Sequence, residues 1–144
     1  MLTSLKQIYI MLEDINSKRS TDEKINYLKE CLDDFIFGKI LEKVLLYMIN
    51  ENLYFKLNRV RFIDFFEDNE AVAHQTSDDI FNQLDYFSNK IGELSDEEIA
   101  FFEKISSSDP ETIEVINNIL SKQSRTGLLN EQIKEVLEQR TINR

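Results

Sequence analysis

Apolar residues recur at the spacing of an α-helix along most of this chain, and this pattern limits the fold more than any other feature. The first stripe steps by three, four and three residues from Leu5 to Ile15, which places its side chains on one face of a helix. Only three glycines and one proline interrupt the 144 residues, too few for an all-β fold. The sequence therefore predicts an all-α fold of six or seven helices, whose further stripes are Ile25/Leu28/Leu32/Phe35, Leu41/Val44/Leu45/Met48, Ile80/Leu84/Phe87, Ile99/Phe102/Ile105, Ile113/Ile116/Leu120 and Ile133/Val136/Leu137.

Capping residues mark the predicted helix starts. A side chain that accepts hydrogen bonds from the first-turn N–H groups favours a helix start at its position. Such residues are Ser20 with Glu23, Ser77, the SDEE motif at 95–98, and Asp109 followed by Pro110 and Glu111. They divide the apolar stripes into separate helices.

One domain covering residues 1–144 is expected, because a chain of this length can bury one core. The segment 66–76 is predicted to be a surface connection, not a domain boundary. The longest apolar run, at 44–49, is too short to span a membrane. The residues expected to be most buried are Leu41, Val44, Leu45, Phe87, Phe102, Ile116 and Val136.

The acidic groups are concentrated in the middle of the chain. The formal net charge is −10 at pH 7. Residues 1–65 carry ten basic and ten acidic groups, residues 66–119 carry two and fourteen, and residues 120–144 carry five and three. An acidic middle disfavours long-range attraction to nucleic acid, although basic patches can act within a screening length of about 10 Å.

No group of residues in the sequence has the composition of a catalytic or metal site. The one histidine, His74, has no second His or Cys near it in sequence, and Cys31 lies beside an apolar stripe, as a small core residue does. Adjacent acids such as Asp78 and Asp79 point to different sides of a helix and are typical of a solvated surface. The glycines are too far apart to form a phosphate loop. We therefore expect a protein that is not an enzyme and that binds no cofactor, metal or small-molecule substrate.

Two basic segments carry the candidate binding residues. The first, "LYFKLNRVRFI" at 53–63, is either a short helix or an extended segment, and it interleaves aromatic residues with Lys56, Arg59 and Arg61. Lys and Arg beside aromatic residues can pair with phosphates and pack against sugars or bases. The alternative is that the aromatic rings belong to the core and the charges reach out to solvent. The pattern slightly favours the core for the rings and leaves the role of the charges open.

The second basic segment, "SKQSRTG" at 121–127, predicts a helix end, a basic turn and the start of a new helix. N–H groups at the start of a helix form a natural seat for a phosphate, which Lys122 and Arg125 would flank beside Gly127. The alternative is that the basic residues complement the dipole of the preceding helix C-terminus. The local pattern favours this alternative, and both side chains are expected at the surface.

Longer stretches of the chain share a pattern with one protein family. They are "FGKILEKVLLYMINENLYFKL", "IFNQLDYFSNKIGELSDEEIAFFEKI", "DPETIEVINNILSKQSRTG" and "QIKEV". Together they resemble the N-terminal helical DNA-binding domain of ATP-dependent DNA ligases from tailed phages, from about Leu5 to Val136. Members of that family carry a Leu-Arg-Cys-Gly turn six residues before an Ile and nine before a Val. Arg125, Gly127, Ile133 and Val136 hold those places here.

The resemblance implies a helical domain that grips duplex DNA through its backbone, without reading the bases. It implies that Lys122, Arg125 and the Gly127 turn seat a phosphate, and that Lys56, Arg59 and Arg61 form a second patch.

The chain also departs from the family pattern. Ser124 and Thr126 stand where Leu and Cys are usual, and Glu135 stands where Lys is frequent. The acidic middle is unusual for a surface that holds a duplex. The catalytic domain of the family opens with Lys-x-Asp-Gly, which does not occur in this sequence. We therefore expect the rest of the enzyme to be absent from this polypeptide.

Three hypotheses about function follow. The first is a non-catalytic module that binds duplex DNA through phosphates. The second is a phage virion or assembly component that binds protein partners with the same helical scaffold, which the acidic middle favours. The third is a separately encoded part of a split ligase. A single cysteine and the resemblance to phage proteins favour the cytoplasm of a bacterial host, with the virion as the alternative location.

Overall fold

The computed structural model describes residues 5–64 and 77–142, and these residues form seven helices without a strand. The fold class predicted from the apolar stripes is therefore confirmed. The predicted connection at 66–76 and His74 lie outside the described residues. The helices are α1 (Lys6–Ser17), α2 (Thr21–Leu32), α3 (Gly38–Ile49), α4 (Ser77–Asn89), α5 (Asp96–Ser106), α6 (Pro110–Ser121) and α7 (Asn130–Ile142).

Helix α3 lies at the centre of the fold, in contact with α2, α6 and α7. Its sequence suits this position, because its apolar face carries Leu41, Val44, Leu45 and Met48, all of which are buried. Helix α1 packs on α2 and α6 around the outside, and α4 packs on α5. All seven residues that were expected to be most buried are buried. The most exposed of them is Val136, at 3%.

The predicted caps are present at three helix starts. The hydroxyl oxygens of Ser20 and Ser95 accept hydrogen bonds from the third N–H of α2 and α5, and the Asp109 carboxylate does the same for α6. Pro110 occupies the first position of α6, where its missing N–H costs nothing. Ser77, the fourth predicted cap, is itself the first residue of α4.

The apolar stripe predicted for α2 extends too far. Helix α2 ends at Leu32, and Phe35 is completely exposed in the turn that follows. The Asp34 carboxylate accepts hydrogen bonds from the N–H groups of Ile36 and Phe37, and such side-chain contacts compete with continued helix. Gly38 then begins α3 so close to α2 that a Cβ atom would clash with the Leu32 carbonyl oxygen.

A network centred on Glu98 joins α4 to α5. The Glu98 carboxylate completes the capping box with the N–H of Ser95, accepts a hydrogen bond from the Tyr86 hydroxyl at 2.7 Å, and forms an ion pair with Lys90. Below this network the rings of Phe87 and Phe102 meet edge to face, with 5.2 Å between their centroids. Both polar and apolar contacts therefore hold α4 and α5 together.

Replacing Leu45 by Ala should lower the free energy of unfolding by roughly 2–5 kcal/mol, because the side chain is fully buried. Urea unfolding monitored by circular dichroism measures the change. The matched control is Leu46→Ala, one residue further along α3, where the side chain is half exposed and the loss should stay below about 1 kcal/mol. Equal losses for the two variants would contradict the orientation of α3.

Stability at acid pH should depend on Glu98. The Lys90 ammonium, then the Ser95 N–H and the Tyr86 hydroxyl, lower the pKa of Glu98 to about 2. Since an unfolded Glu has a pKa of about 4.3, the ionised carboxylate stabilises the fold above that pH, and this contribution disappears as the pH falls towards 2. In the Glu98→Gln variant the free energy of unfolding should therefore fall less steeply as the pH is lowered over this range. Urea unfolding at several pH values measures it. Glu97→Gln, at an exposed neighbouring position, should retain the slope of the unmodified protein.

Candidate nucleic-acid interface

The turn between α6 and α7, residues 122–129, is here called the basic turn. It starts at Lys122, which takes a left-handed conformation with φ of 60° and ends α6. The N–H of the next residue, Gln123, donates back to the Asn118 carbonyl at 3.0 Å, as in a typical helix C-terminus. Arg125 and Gly127 are also left-handed, with φ of 58° and 85°. The basic turn therefore separates the end of α6 from the start of α7, as the sequence predicted.

The Lys122 side chain caps the end of helix α3. Its ammonium donates hydrogen bonds to the carbonyl oxygens of Tyr47 and Asn50 at 2.8 and 3.0 Å, and it lies 4.9 Å from the centre of the Phe55 ring. Burial lowers the pKa of this lysine. The expectation that both basic side chains lie at the surface holds for Arg125, which is exposed, but Lys122 is half-buried. The pattern could not reveal this, because α3 lies more than seventy residues away in sequence.

Lys24 holds the other side of the basic turn, a role that no pattern in the sequence indicated. Its ammonium donates to the carbonyl oxygens of Ile15 and Asn16 at the end of α1, and to that of Thr126 at 3.0 Å. A Cβ atom on residue 127 would lie 3.0 Å from this ammonium, so Gly127 fits both the space and the left-handed backbone. Two lysines thus join the turn to the ends of two helices.

Several N–H groups of the basic turn already have partners. The N–H of Leu129 donates to the Gln132 side chain at 2.8 Å, and that of Leu128 donates to the Thr126 hydroxyl at 3.2 Å. The hydroxyl groups of Ser124 and Thr126 are buried and 2.7 Å apart. The two residues that depart from the Leu and Cys of the ligase turn therefore form a polar contact inside the turn. A phosphate seat at Gly127 stays a prediction, and the N–H groups left for it are fewer than the sequence suggested.

Residues 53–63 form neither a helix nor a strand, and they are hydrogen-bonded to side chains of α5 and α6. The side-chain amide of Asn117 accepts from the N–H of Val60 and donates to its carbonyl, which fixes the backbone at that point. Phe55 is buried and stacks on Tyr47, whereas Tyr54 is 64% exposed. The slight preference for core aromatic residues is therefore right for Phe55 and wrong for Tyr54 and Phe62, which are exposed.

Arg61 is paired with a buried acid. Its guanidinium forms two hydrogen bonds of 3.2 Å to the carboxylate of Glu103, which also accepts from the Arg61 N–H at 2.7 Å. Only 3% of the Glu103 side chain is exposed, so this carboxylate needs a cation nearby. The pair raises the pKa of Arg61. This partner reduces the charge that Arg61 can offer to a ligand.

Three of the predicted cations have neither an acidic side chain nor a carbonyl oxygen as partner among residues 5–64 and 77–142: Lys56, Arg59 and Arg125. We call them the open cations. Arg59 and Arg125 are exposed and Lys56 is half-buried. Lys56 also has a left-handed backbone, with φ of 62°. The two basic segments touch, because Lys122 of one lies over the ring of Phe55, the residue before Lys56.

The described residues contain no group of three or more His, Cys, Asp or Glu side chains that could hold a metal ion. Cys31 is buried, as predicted, and burial raises the pKa of its thiol. Among the described helices, none has the length and apolar character needed to cross a membrane.

No family model matches the sequence, and no curated protein or solved structure matches it either. The resemblance to the ligase domain therefore depends on the residues quoted above.

Replacing Lys122 by Ala should lower the free energy of unfolding by roughly 1–3 kcal/mol, because two carbonyl groups at the end of α3 lose a charged donor. The control is Arg125→Ala, which removes an exposed basic residue from the same turn and should change stability by less than about 0.5 kcal/mol. Urea unfolding at neutral pH compares the two. If both variants match the unmodified protein, the ammonium does not cap α3 in solution.

Proposed function

We propose that the chain is a non-catalytic helical module that binds duplex DNA through its backbone phosphates. The observation that carries the proposal is the position of the open cations. Lys56, Arg59 and Arg125 have no acidic partner within the described ranges, and they lie on two segments that are in contact. Both segments are fixed to the helical core by hydrogen bonds, so their backbones are ordered before a ligand binds. The resemblance to the ligase domain supports the same function.

The chemistry of these groups suits phosphates better than bases. Lysine and arginine attract phosphate oxygens by charge, and such contacts position a protein on DNA without reading its sequence. Tyr54, exposed beside Lys56, offers a ring that can pack against a sugar. Three contacts supply little affinity, and the net charge of −10 opposes long-range attraction. We therefore expect binding that is weak and independent of sequence.

The proposed module has no catalytic step of its own. Its sequence lacks both the Lys-x-Asp-Gly motif that takes the adenylate in the ligases and a glycine-rich phosphate loop. In the ligases that it resembles, the equivalent domain supports a catalytic domain by holding the duplex.

Binding to a nicked duplex should weaken steeply with salt. About three phosphate contacts predict a log–log salt slope of roughly −3, since each contact contributes about −0.9. In the double variant R59A/R125A the slope should fall to about −1, because two of the three contacts are lost. Fluorescence anisotropy at several salt concentrations measures affinity and slope together. A duplex of unrelated sequence should give the same values.

The matched control is R19A/K39A, which removes two exposed cations from the start regions of α2 and α3. It changes the net charge by the same amount and should keep the slope near −3. No binding at about 50 mM salt with tens of micromolar protein would contradict the proposal and would favour the protein-binding hypothesis. Equal loss in the two double variants would show that only total charge matters.

A further inference from the structure

A groove runs along the seam between α3 and α7, on residues that no part of the DNA proposal uses as ligands. Its volume is about 670 Å³. One wall is a stripe of α3 that includes Leu46 and Ile49, and it continues to Leu53 beyond the helix end. The opposite wall is the first part of α7, up to Leu137. The apolar residues of the groove are therefore Leu46, Ile49 and Leu53 on one wall and Leu137 on the other, and polar side chains lie among them.

Leu46 does not belong to the core, although it lies on the central helix α3. It is 46% exposed, and it lines the groove between the two helices. The two walls present side chains at steps of three and four residues, which is the pattern that receives a third helix. A helix laid along the seam would cover Leu46 and complete the packing of α3 against α7.

The rim of the groove is acidic. Four glutamates line it, Glu42, Glu51, Glu131 and Glu138, against a single lysine, Lys134, which lies 4.0 Å from Glu138. The Lys122 ammonium reaches the carbonyl groups of two lining residues, and carboxylates still outnumber cations. The occupant that fits this rim carries Lys or Arg on both sides of an apolar stripe.

The segment 65–76 of the chain does not match this occupant. The segment 65–76 carries three acids and neither Lys nor Arg, so its charge opposes the rim. A second copy of the chain, with a net charge of −10, would also meet repulsion. Charge complementarity therefore points to a different protein.

We propose that the α3–α7 groove binds a basic amphipathic helix of a partner protein. The apolar stripe of that helix lies on Leu46, Leu53 and Leu137, and its flanking cations face the four rim glutamates. The arrangement is that of a helix in a groove, in which apolar anchors give affinity and flanking charges select the partner and its orientation.

The test uses a synthetic helical peptide of about 14 residues, with Leu on one stripe at i, i+4, i+7 and i+11 and Lys elsewhere. A scrambled peptide of the same composition, without the stripe, is its control. Titration into the full chain, followed residue by residue in amide NMR spectra, should shift signals along α3 and α7. The scrambled peptide should bind more weakly and shift no continuous stretch of these helices.

Variants then separate the site from general attraction of a basic peptide to an acidic protein. Leu46→Gln should weaken binding about tenfold, because it removes the exposed apolar anchor, and E51Q/E131Q should weaken it about fivefold. The control E13Q/E114Q removes two exposed charges on α1 and α6 and should leave the affinity within about twofold of the unmodified protein. R59A/R125A should bind the peptide at least as tightly as the unmodified protein, so failure of DNA binding leaves this inference unaffected.

Three results would overturn the inference. The first is shifts spread over the whole surface, and the second is equal weakening by E51Q/E131Q and E13Q/E114Q. The third is a dimer in sedimentation experiments that Leu46→Gln dissociates, because the groove would then be covered by a second copy of the chain.

Discussion

The hydrogen bonds from Lys122 to the last carbonyl groups of α3 are the interaction on which the described surfaces depend. The last carbonyl groups of a helix have no hydrogen-bond partner within the helix. Here Lys122, at the start of the basic turn, donates hydrogen bonds to two carbonyl groups at the end of α3. The same ammonium lies over Phe55, so it also holds the segment 53–63 against the turn. One half-buried cation thus fixes both basic segments relative to the central helix α3.

Three of the six cations in or beside these segments, Lys24, Arg61 and Lys122, satisfy internal needs. Lys24 joins the end of α1 to the basic turn, and Arg61 balances the buried Glu103. A protein with ten more acids than bases has few cations left for a ligand after these contacts. The open cations are therefore a small set, and the DNA proposal predicts a correspondingly low affinity. The acidic surplus is in turn what makes the groove between α3 and α7 suited to a basic partner.

The two proposed surfaces meet at Tyr47. Its carbonyl accepts a hydrogen bond from Lys122, its ring stacks on Phe55 beside the open cation Lys56, and the residue also lines the groove. Its hydroxyl donates to Asp85 of α4, which ties the α4–α5 pair to α3. The periodicity of the sequence identified Phe87 and Phe102 as core residues but gave no indication of these polar contacts.

The sequence by itself determined which segments are helices and which side chains form the core, because apolar spacing and capping residues act within a few positions along the chain. It failed at Phe35, where the short-range contact of Asp34 ends α2 earlier than the stripe suggests. It also identified the residues of the basic segments. Only the tertiary structure decided which cations stay open, because the partners of Lys122, Lys24 and Arg61 lie tens of residues away in sequence. The role of a charged side chain depends on whether folding places it against an acid, against a carbonyl group or in solvent.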